Sequence, residues 1–408
     1  MGIEPVSFEV RLKVKTPTAV ITGQEYTLFE ALFKGRELWI IDFNALIEKL
    51  KREGKLSLFL SLLRNFSDDK FLELHNFYRK EVGREEAKAI LYLTEEVLKF
   101  LKEKFRKLSK LRRVDLEKYR QELGKGSIKR IFRTPTTQLP YIPGSSLKGA
   151  VRTALLNYLI KNGFIEEKAL KEKFLQILQK YGIQHWPSSY SKRRIHFKLK
   201  ELKEELDSFF GSLDALLLCD FLITFDEGDE PPDTSRDLMR FVKVSDLYPV
   251  DTPKVGVGRL KRRLKDGSEK PFGFTALEFL EPGTWFKGTI TLYPEFIKKY
   301  LTCPLEVSPE VLVKALRMEY SKVINWEISF FNKSFSPLVG GDRERYLENK
   351  ERIAMVKLGF GAGALSKTLS AASELRFLGN QETGVRNEPT TLPVIEGKPL
   401  GWCLLEVS

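Results

Sequence analysis

Between Arg130 and Arg152 the chain gathers hydroxyls, cations and backbone amides in a spacing suited to holding an anion. Thr134 to Leu156 reads TPTTQLPYIPGSSLKGAVRTALL. Pro140 and Pro143 fix their own φ and push the residues before them out of the helical region, so the approach is extended. Gly144 then permits a tight start, Ser145 or Ser146 is expected to cap the first turn, and Leu147, Val151, Ala154, Leu155 and Tyr158 recur at helical spacing as a buried stripe. The start of such a helix combines unpaired N–H groups with two hydroxyls, and Lys148 and Arg152 stand four residues apart on one face. That arrangement cradles a phosphate; its bland counterpart is a capped helix with solvated cations. Tyr141, next to the cradle, is placed to stack on a base.

Three further groups extend the anion-binding theme. GKGSIKRIFRTPTTQ carries Arg130 and Arg133 through a glycine-punctuated loop into the cradle, where they would line the path of a nucleic acid. Arg259, Lys261, Arg262 and Arg263 form a basic cluster ahead of the turn Lys265-Asp266-Gly267. Gly359, Gly361 and Gly363 alternate in a loop with Lys357 and Lys367 at its edges, which suits a backbone lying close against a sugar-phosphate chain. Charged faces are more often merely solvated, and it is the convergence on one stretch that favours the binding reading.

The same glycine loop lies one residue away from a nucleotide-binding phosphate loop: Gly361 to Thr368 has the lysine but carries Ser366 where the second glycine belongs. That glycine lets the amides wrap the phosphates, so a nucleotide hydrolase is the weakest reading. LLLCD, ending at Asp220, also lies upstream of the loop rather than downstream, where the partner metal-binding strand belongs. Nuclease chemistry needs an acid and a base, or a metal. His75, His185 and His196 are the only histidines and show no metal-ligand spacing, so a metal-independent ribonuclease would have to use His185 or His196 with a nearby Lys or Tyr. Asp226, Glu227, Asp229 and Glu230 sit in a proline-rich acidic run that reads as a solvated loop rather than a magnesium site. No catalytic residue, metal or cofactor is expected.

Lys and Arg total 68 against 55 Asp and Glu, a formal charge of +13 that fits a polyanion partner. Three scattered cysteines, Cys219, Cys303 and Cys403, predict neither disulfides nor a zinc site, and no stretch resembles a signal peptide or a membrane span. A cytoplasmic protein with no membrane contact is the expectation.

The elements that must position these groups follow from periodicity. Val6 to Val14 alternates as a half-buried strand, Leu38 to Phe43 is a second strand, and Asn44 is expected to cap a helix that opens an inserted helical region, 44–124. Leu213 to Phe225 reads as a central strand, Leu238 to Leu247 and Lys254 to Leu264 as strand or hairpin material, and Phe286 to Leu292 as a clear strand. Ser308 followed by Pro309 predicts a helix reaching Phe330, and Gly401 to Val407 closes as a strand. The alternation fits an α+β fold of ferredoxin or RRM type with large helical insertions. The acidic run DEGDEPPDTS marks the expected boundary between an N-terminal half, 1–230, and a second RRM-like half, 231–408, that carries the glycine loop.

YIPGSSLKGAVRTALL, Tyr141 to Leu156, resembles the motif of the RAMP proteins, the RRM-like RNA-binding subunits of CRISPR effector complexes, and within them looks most like the fifth-subunit family of the type III-A Csm complex. VKLGFGAGALSKTL, Val356 to Leu369, is similar to the glycine-rich loop of that superfamily, and weaker similarity runs through LKVKTPTAVITGQEY, VSDLYPV (Val244 to Val250) and LEFLEPGTWFKGTITL (Leu277 to Leu292). The segments 44–124 and 162–212 resemble nothing in it. The resemblance implies a non-catalytic subunit that holds the 3′ part of the crRNA and caps a filament of repeated subunits. Its partners would be the crRNA, the repeated backbone subunit, the small helical subunit and a host nuclease that trims the RNA. A crRNA-processing endoribonuclease and a subunit of a Cmr complex are the alternatives.

Overall fold

The computed structural model describes residues 4–26, 29–64, 68–108, 128–164, 176, 179–180, 237–272, 276–300, 305–332, 334–362 and 391–408. The first strand, β1 (Val6–Val14), forms where expected, with Phe8, Val10, Leu12 and Val14 turned inward and the intervening side chains outward. It is followed by β2 (Ile21–Glu25) and by a hairpin of β3 (Ala31–Lys34) and β4 (Glu37–Ile41). Three helices come next, α1 (Phe43–Arg52), α2 (Leu56–Arg64) and α3 (Asp68–Glu81). Asp42, not Asn44, caps α1, its carboxylate accepting from the amides of Asn44 and Ala45. The helical region is then interrupted by a strand, β5 (Ala87–Leu93), before α4 (Glu95–Leu108). AKAILYL has apolar residues spaced for either structure, and pairing with β4 on one side decides for a strand.

The chain continues through β6 (Ile128–Ile131) and the motif helix α5 (Gly144–Lys161), then β7 (Val242–Val244), β8 (Tyr248–Pro249), β9 (Val255–Gly258), β10 (Lys261–Leu264) and β11 (Glu269–Pro271). After β12 (Ala276–Leu280) and β13 (Trp285–Leu292) come α6 (Pro294–Tyr300), α7 (Pro309–Phe330) and α8 (Gly341–Glu348). The last strands are β14 (Ile353–Lys357), β15 (Thr391–Ile395), β16 (Lys398–Pro399) and β17 (Trp402–Val407). Ser308 caps α7 through its hydroxyl with Pro309 in the first turn, as its sequence predicts.

Among the described residues the strands make three sheets. The first, antiparallel, runs β14-β17-β1-β13-β7, with β8 also on β13. Its inner part, β17-β1-β13-β7, together with α5 after β1 and α7 after β13, is the split β-α-β arrangement of a ferredoxin-like unit. Helices α5 and α7 pack on each other, one against β7 and the other against β14, so both cover the same face and leave the other open. The second sheet, β2-β6-β12-β9-β5-β4-β3, is mixed, with β6 parallel to β12 and β5 parallel to β9. The third is β11-β10-β15-β16. Lys254 to Leu264 is therefore not one strand: β9 and β10 belong to different sheets.

The main core lies between the first sheet and its two helices, and a separate cluster of Leu32, Ile41, Leu46, Leu50, Phe59, Leu62, Leu74, Tyr78 and Val82 ties α1, α2 and α3 to the β3–β4 hairpin. The expected boundary at 230 and the strand expected at 213–225 fall outside the described residues. Strands from both sides of that boundary share the first and second sheets. No helix among the described residues is long and apolar enough to cross a membrane.

Candidate nucleic-acid interface

The motif helix starts where its sequence predicts, but its cap comes from elsewhere. Pro143 occupies the cap position and neither Ser145 nor Ser146 caps it; the Gly144 N–H donates to Oδ1 of Asp246 at 2.8 Å. Ile142 and Leu247 exchange backbone hydrogen bonds of 3.0 and 2.9 Å just beside it. A Cβ on residue 144 would come within 2.3 Å of the Val244 carbonyl and 2.5 Å of the Ser245 carbonyl, so only glycine allows this approach. The two stretches YIPGSS and VSDLYPV thus interlock, and a carboxylate sits on the positive end of the helix. With the Gly144 amide taken by Asp246, and the Ser146 amide donating to the Pro143 carbonyl at 2.9 Å, the cradle is smaller than its sequence implies.

What the helix start still offers is side chains. Ser145 is exposed, and Ser146, Lys148 and Arg152 are half-buried. Arg152 is held by Asp237 at 2.8 Å. The Lys148 ammonium is pushed below its ordinary pKa, first by burial and then by Lys243 and Arg152, despite the opposing pull of Asp237. An anion beside the ammonium would oppose both the burial and the neighbouring cations. Tyr141 packs edge-on against Phe132 at 5.7 Å and stacks on Tyr248 at 5.9 Å with 28° between the rings. Burial, then Asp246 and Tyr248, raises the Tyr141 hydroxyl pKa, keeping it a neutral donor. Tyr248 is 49% exposed. Lys243 and Tyr248 complete this surface and are not singled out by the sequence; Tyr248 lies within VSDLYPV and Lys243 one residue ahead of it.

Two of the expected cations serve the core instead. Arg133 is half-buried, its side chain pairing with Glu278 at 3.2 Å and donating to the Gln138 carbonyl; Glu278, fully buried, also accepts from the Tyr26 hydroxyl and the Ile131 amide. Lys357 is buried in an ion pair with Glu327, whose other oxygen accepts from the Trp402 indole at 2.7 Å. Lys357 is closed off from solvent, and the Arg133 guanidinium, only 8% exposed, is engaged by Glu278, so neither is free to take a phosphate. Arg130 lies over the Tyr26 ring at 4.5 Å and pairs with Glu30 at 3.3 Å.

Gly359, with φ at +80°, is required by its own chain: a Cβ there would stand 2.4 Å from the Ala19 carbonyl, which accepts the Phe360 amide. Gly361 packs on Pro393. Gly363 and Lys367 lie outside the described residues. In the basic cluster Arg259 sits over Phe100 and Arg263 over Phe331; Lys261 pairs with Glu96 and Glu269, and Arg263 with Glu269. Arg262 alone of these side chains is exposed, over Phe272, which meets Phe360 beside Gly361 edge-on. The expected residues therefore fall into two groups: Tyr141, Ser145, Ser146, Lys148 and Arg152 at the helix start, and Arg262 with the glycine loop on the third sheet. His75 is half-buried on α3, where burial and then Arg79 lower its pKa; His185, His196 and the acidic run lie outside the described residues. Among the described residues no His, Cys, Asp and Glu cluster could hold a metal ion.

No curated protein matches this chain significantly. Among solved structures it is similar to a chain of a Csm–crRNA–target RNA ternary complex of a type III-A CRISPR-Cas system, with 21% identity and a TM-score of 0.58 over 98% of this chain and 100% of that one. It is also similar to Csm5 of T. onnurineus, with 21% identity and a TM-score of 0.53 over 96% of this chain and 99% of that one. The model of the RAMP superfamily matches residues 11–383, from β1 past the motif helix and the glycine loop, and the chain belongs to that superfamily.

Proposed function

We propose that this chain is a crRNA-binding subunit of a type III-A CRISPR interference complex, that it caps the filament of repeated subunits near the crRNA 3′ end, and that it binds RNA without cutting it. The observation that carries the reading is the surface at the start of α5, where the half-buried Lys148 feels the charge of Lys243 and Tyr141 stacks on the exposed Tyr248. Cations on phosphates with aromatic rings on bases are how proteins hold single-stranded RNA. The end-to-end likeness to a chain of a Csm–crRNA–target RNA complex supports the assembly, with crRNA and other Csm subunits as partners. Contacts of this kind set position and path, so the spacer sequence should matter little.

The test is crRNA binding by wild type and by Lys148→Ala/Lys243→Ala across a salt series, with denaturing gels of the same samples. The double change is expected to weaken binding at least tenfold and to make the plot of log K against log salt shallower by about 1.4, roughly 0.7 for each single-strand phosphate no longer neutralised. The RNA should stay intact. Unchanged affinity and slope would remove the surface from consideration, and cut RNA would turn attention to His185 and His196.

A further inference from the structure

We infer that the open face of the first sheet is a second RNA surface, continuous with the helix start, and that Tyr248 is the corner round which a single strand passes from one to the other. The inference rests on the RNA-binding reading above and extends it to residues outside the helix start.

Directly opposed residues of antiparallel strands share a face, so register tells which side chains lie together. Tyr248 opposes Lys287, and Lys287 opposes Arg11. Lys243 opposes Thr291, which opposes Ser7, and the Ser7 and Thr291 hydroxyls are 2.8 Å apart. This face is the one turned away from α5 and α7. Lys243, Tyr248, Lys287, Arg11 and Thr289 are all exposed on it. At about 3.4 Å per residue the four steps from Lys287 to Thr291 carry the patch roughly 14 Å along the strands. Arg11 engages Glu9 at 2.9 Å, whereas neither Lys243 nor Lys287 has an ion-pair partner among the described residues. At its far end the face is closed by α8, where Asp342 takes Lys13 and Lys15 and Arg345 takes Glu406.

The two surfaces meet at the sheet edge. Gly144 rests on the Val244–Ser245 backbone, Lys148 feels the charge of Lys243, and the Tyr141 ring stacks on Tyr248. Cations, hydroxyls and one half-exposed ring suit a sugar-phosphate chain. A protein partner would call for an apolar centre, and lysine is depleted from such centres.

The experiment compares binding of a 24-nucleotide single-stranded RNA by full-length wild type, Lys287→Glu, Lys287→Arg and Lys148→Ala, and measures by mass spectrometry how far Lys287 is protected from amine acylation when RNA is bound. Lys287→Glu should weaken binding about tenfold or more, Lys287→Arg should restore it, and Lys287 should be protected. Because Lys287 is exposed, all Lys287 variants should melt like wild type. If Lys148→Ala weakens binding while Lys287→Glu does not and Lys287 stays reactive, the sheet face carries no RNA and the helix start stands alone. If no variant matters, the RNA-binding reading itself fails. If Lys287→Glu leaves RNA affinity intact but blocks co-assembly with other subunits, the face is a protein contact and the inference is overturned.

Discussion

Asp246 stands 102 residues from Gly144 and takes the amide that the local sequence leaves for a ligand. Its carboxylate does two things: it caps α5 and it repels phosphate. Asp246→Ala should therefore lower stability by about 1 kcal/mol, the usual cost of removing a cap, and shift the melting temperature down by about one degree. The same variant should bind crRNA more tightly at low salt, measured by titration, because a negative charge leaves the site. Lys357 makes the opposite case. Its ion pair with Glu327 is fully buried, so Lys357→Met should cost about 3–5 kcal/mol in denaturant titrations by stranding a buried carboxylate. Lys357→Met/Glu327→Leu should recover much of that loss, since apolar pairs of similar volume replace buried ion pairs with little penalty.

Helices α5 and α7 pack through an apolar core with a buried polar spot in it. Glu319 of α7 is wholly buried and neither of its oxygens makes a well-formed hydrogen bond; Asn157 of α5, also buried, lies close enough to relieve it only in part. Burial pushes its carboxyl from 4.5 up to about 8. Folded protein thus keeps a proton that unfolded chain releases. The stability this confers is complete below about pH 4.5, falls by about 1.4 kcal/mol per pH unit as pH rises toward about 8, and levels off above it. Glu319→Gln should remove this component, so that the difference between variant and wild type in chemical denaturation grows from pH 5 to pH 8 and is flat beyond. Elsewhere, elements whose apolar residues follow one clear period, such as β1, β13 and α7, lie where periodicity puts them. AKAILYL does not, because its short apolar run suits either period and partners settle it.

At the scale of the molecule, β1 lies between β13 and β17, so the first and last strands of the described chain are neighbours. Residues 237–408 expressed alone would expose the edges of both β13 and β17 and leave the main core without Phe8, Val10, Leu12 and Val14. That fragment should give no cooperative melt, whereas co-expression with residues 1–236 should restore one.

Local composition and spacing are enough to place β1, β13 and α7, the motif helix and its buried stripe, and to bring Tyr141, Ser145 and Lys148 to the start of that helix. These depend on period and on residues a few positions apart, which a sequence displays directly. Tertiary structure decided which cations stay available. Arg133 and Lys357 look like their basic neighbours in sequence, yet each meets a buried carboxylate, Glu278 at 145 residues' distance and Glu327 at 30. Lys243 and Tyr248 join the site only because the β7–β8 turn packs under Gly144. Whether a charge faces water or a counter-charge depends on which distant strand the fold brings beside it, and no local pattern encodes that.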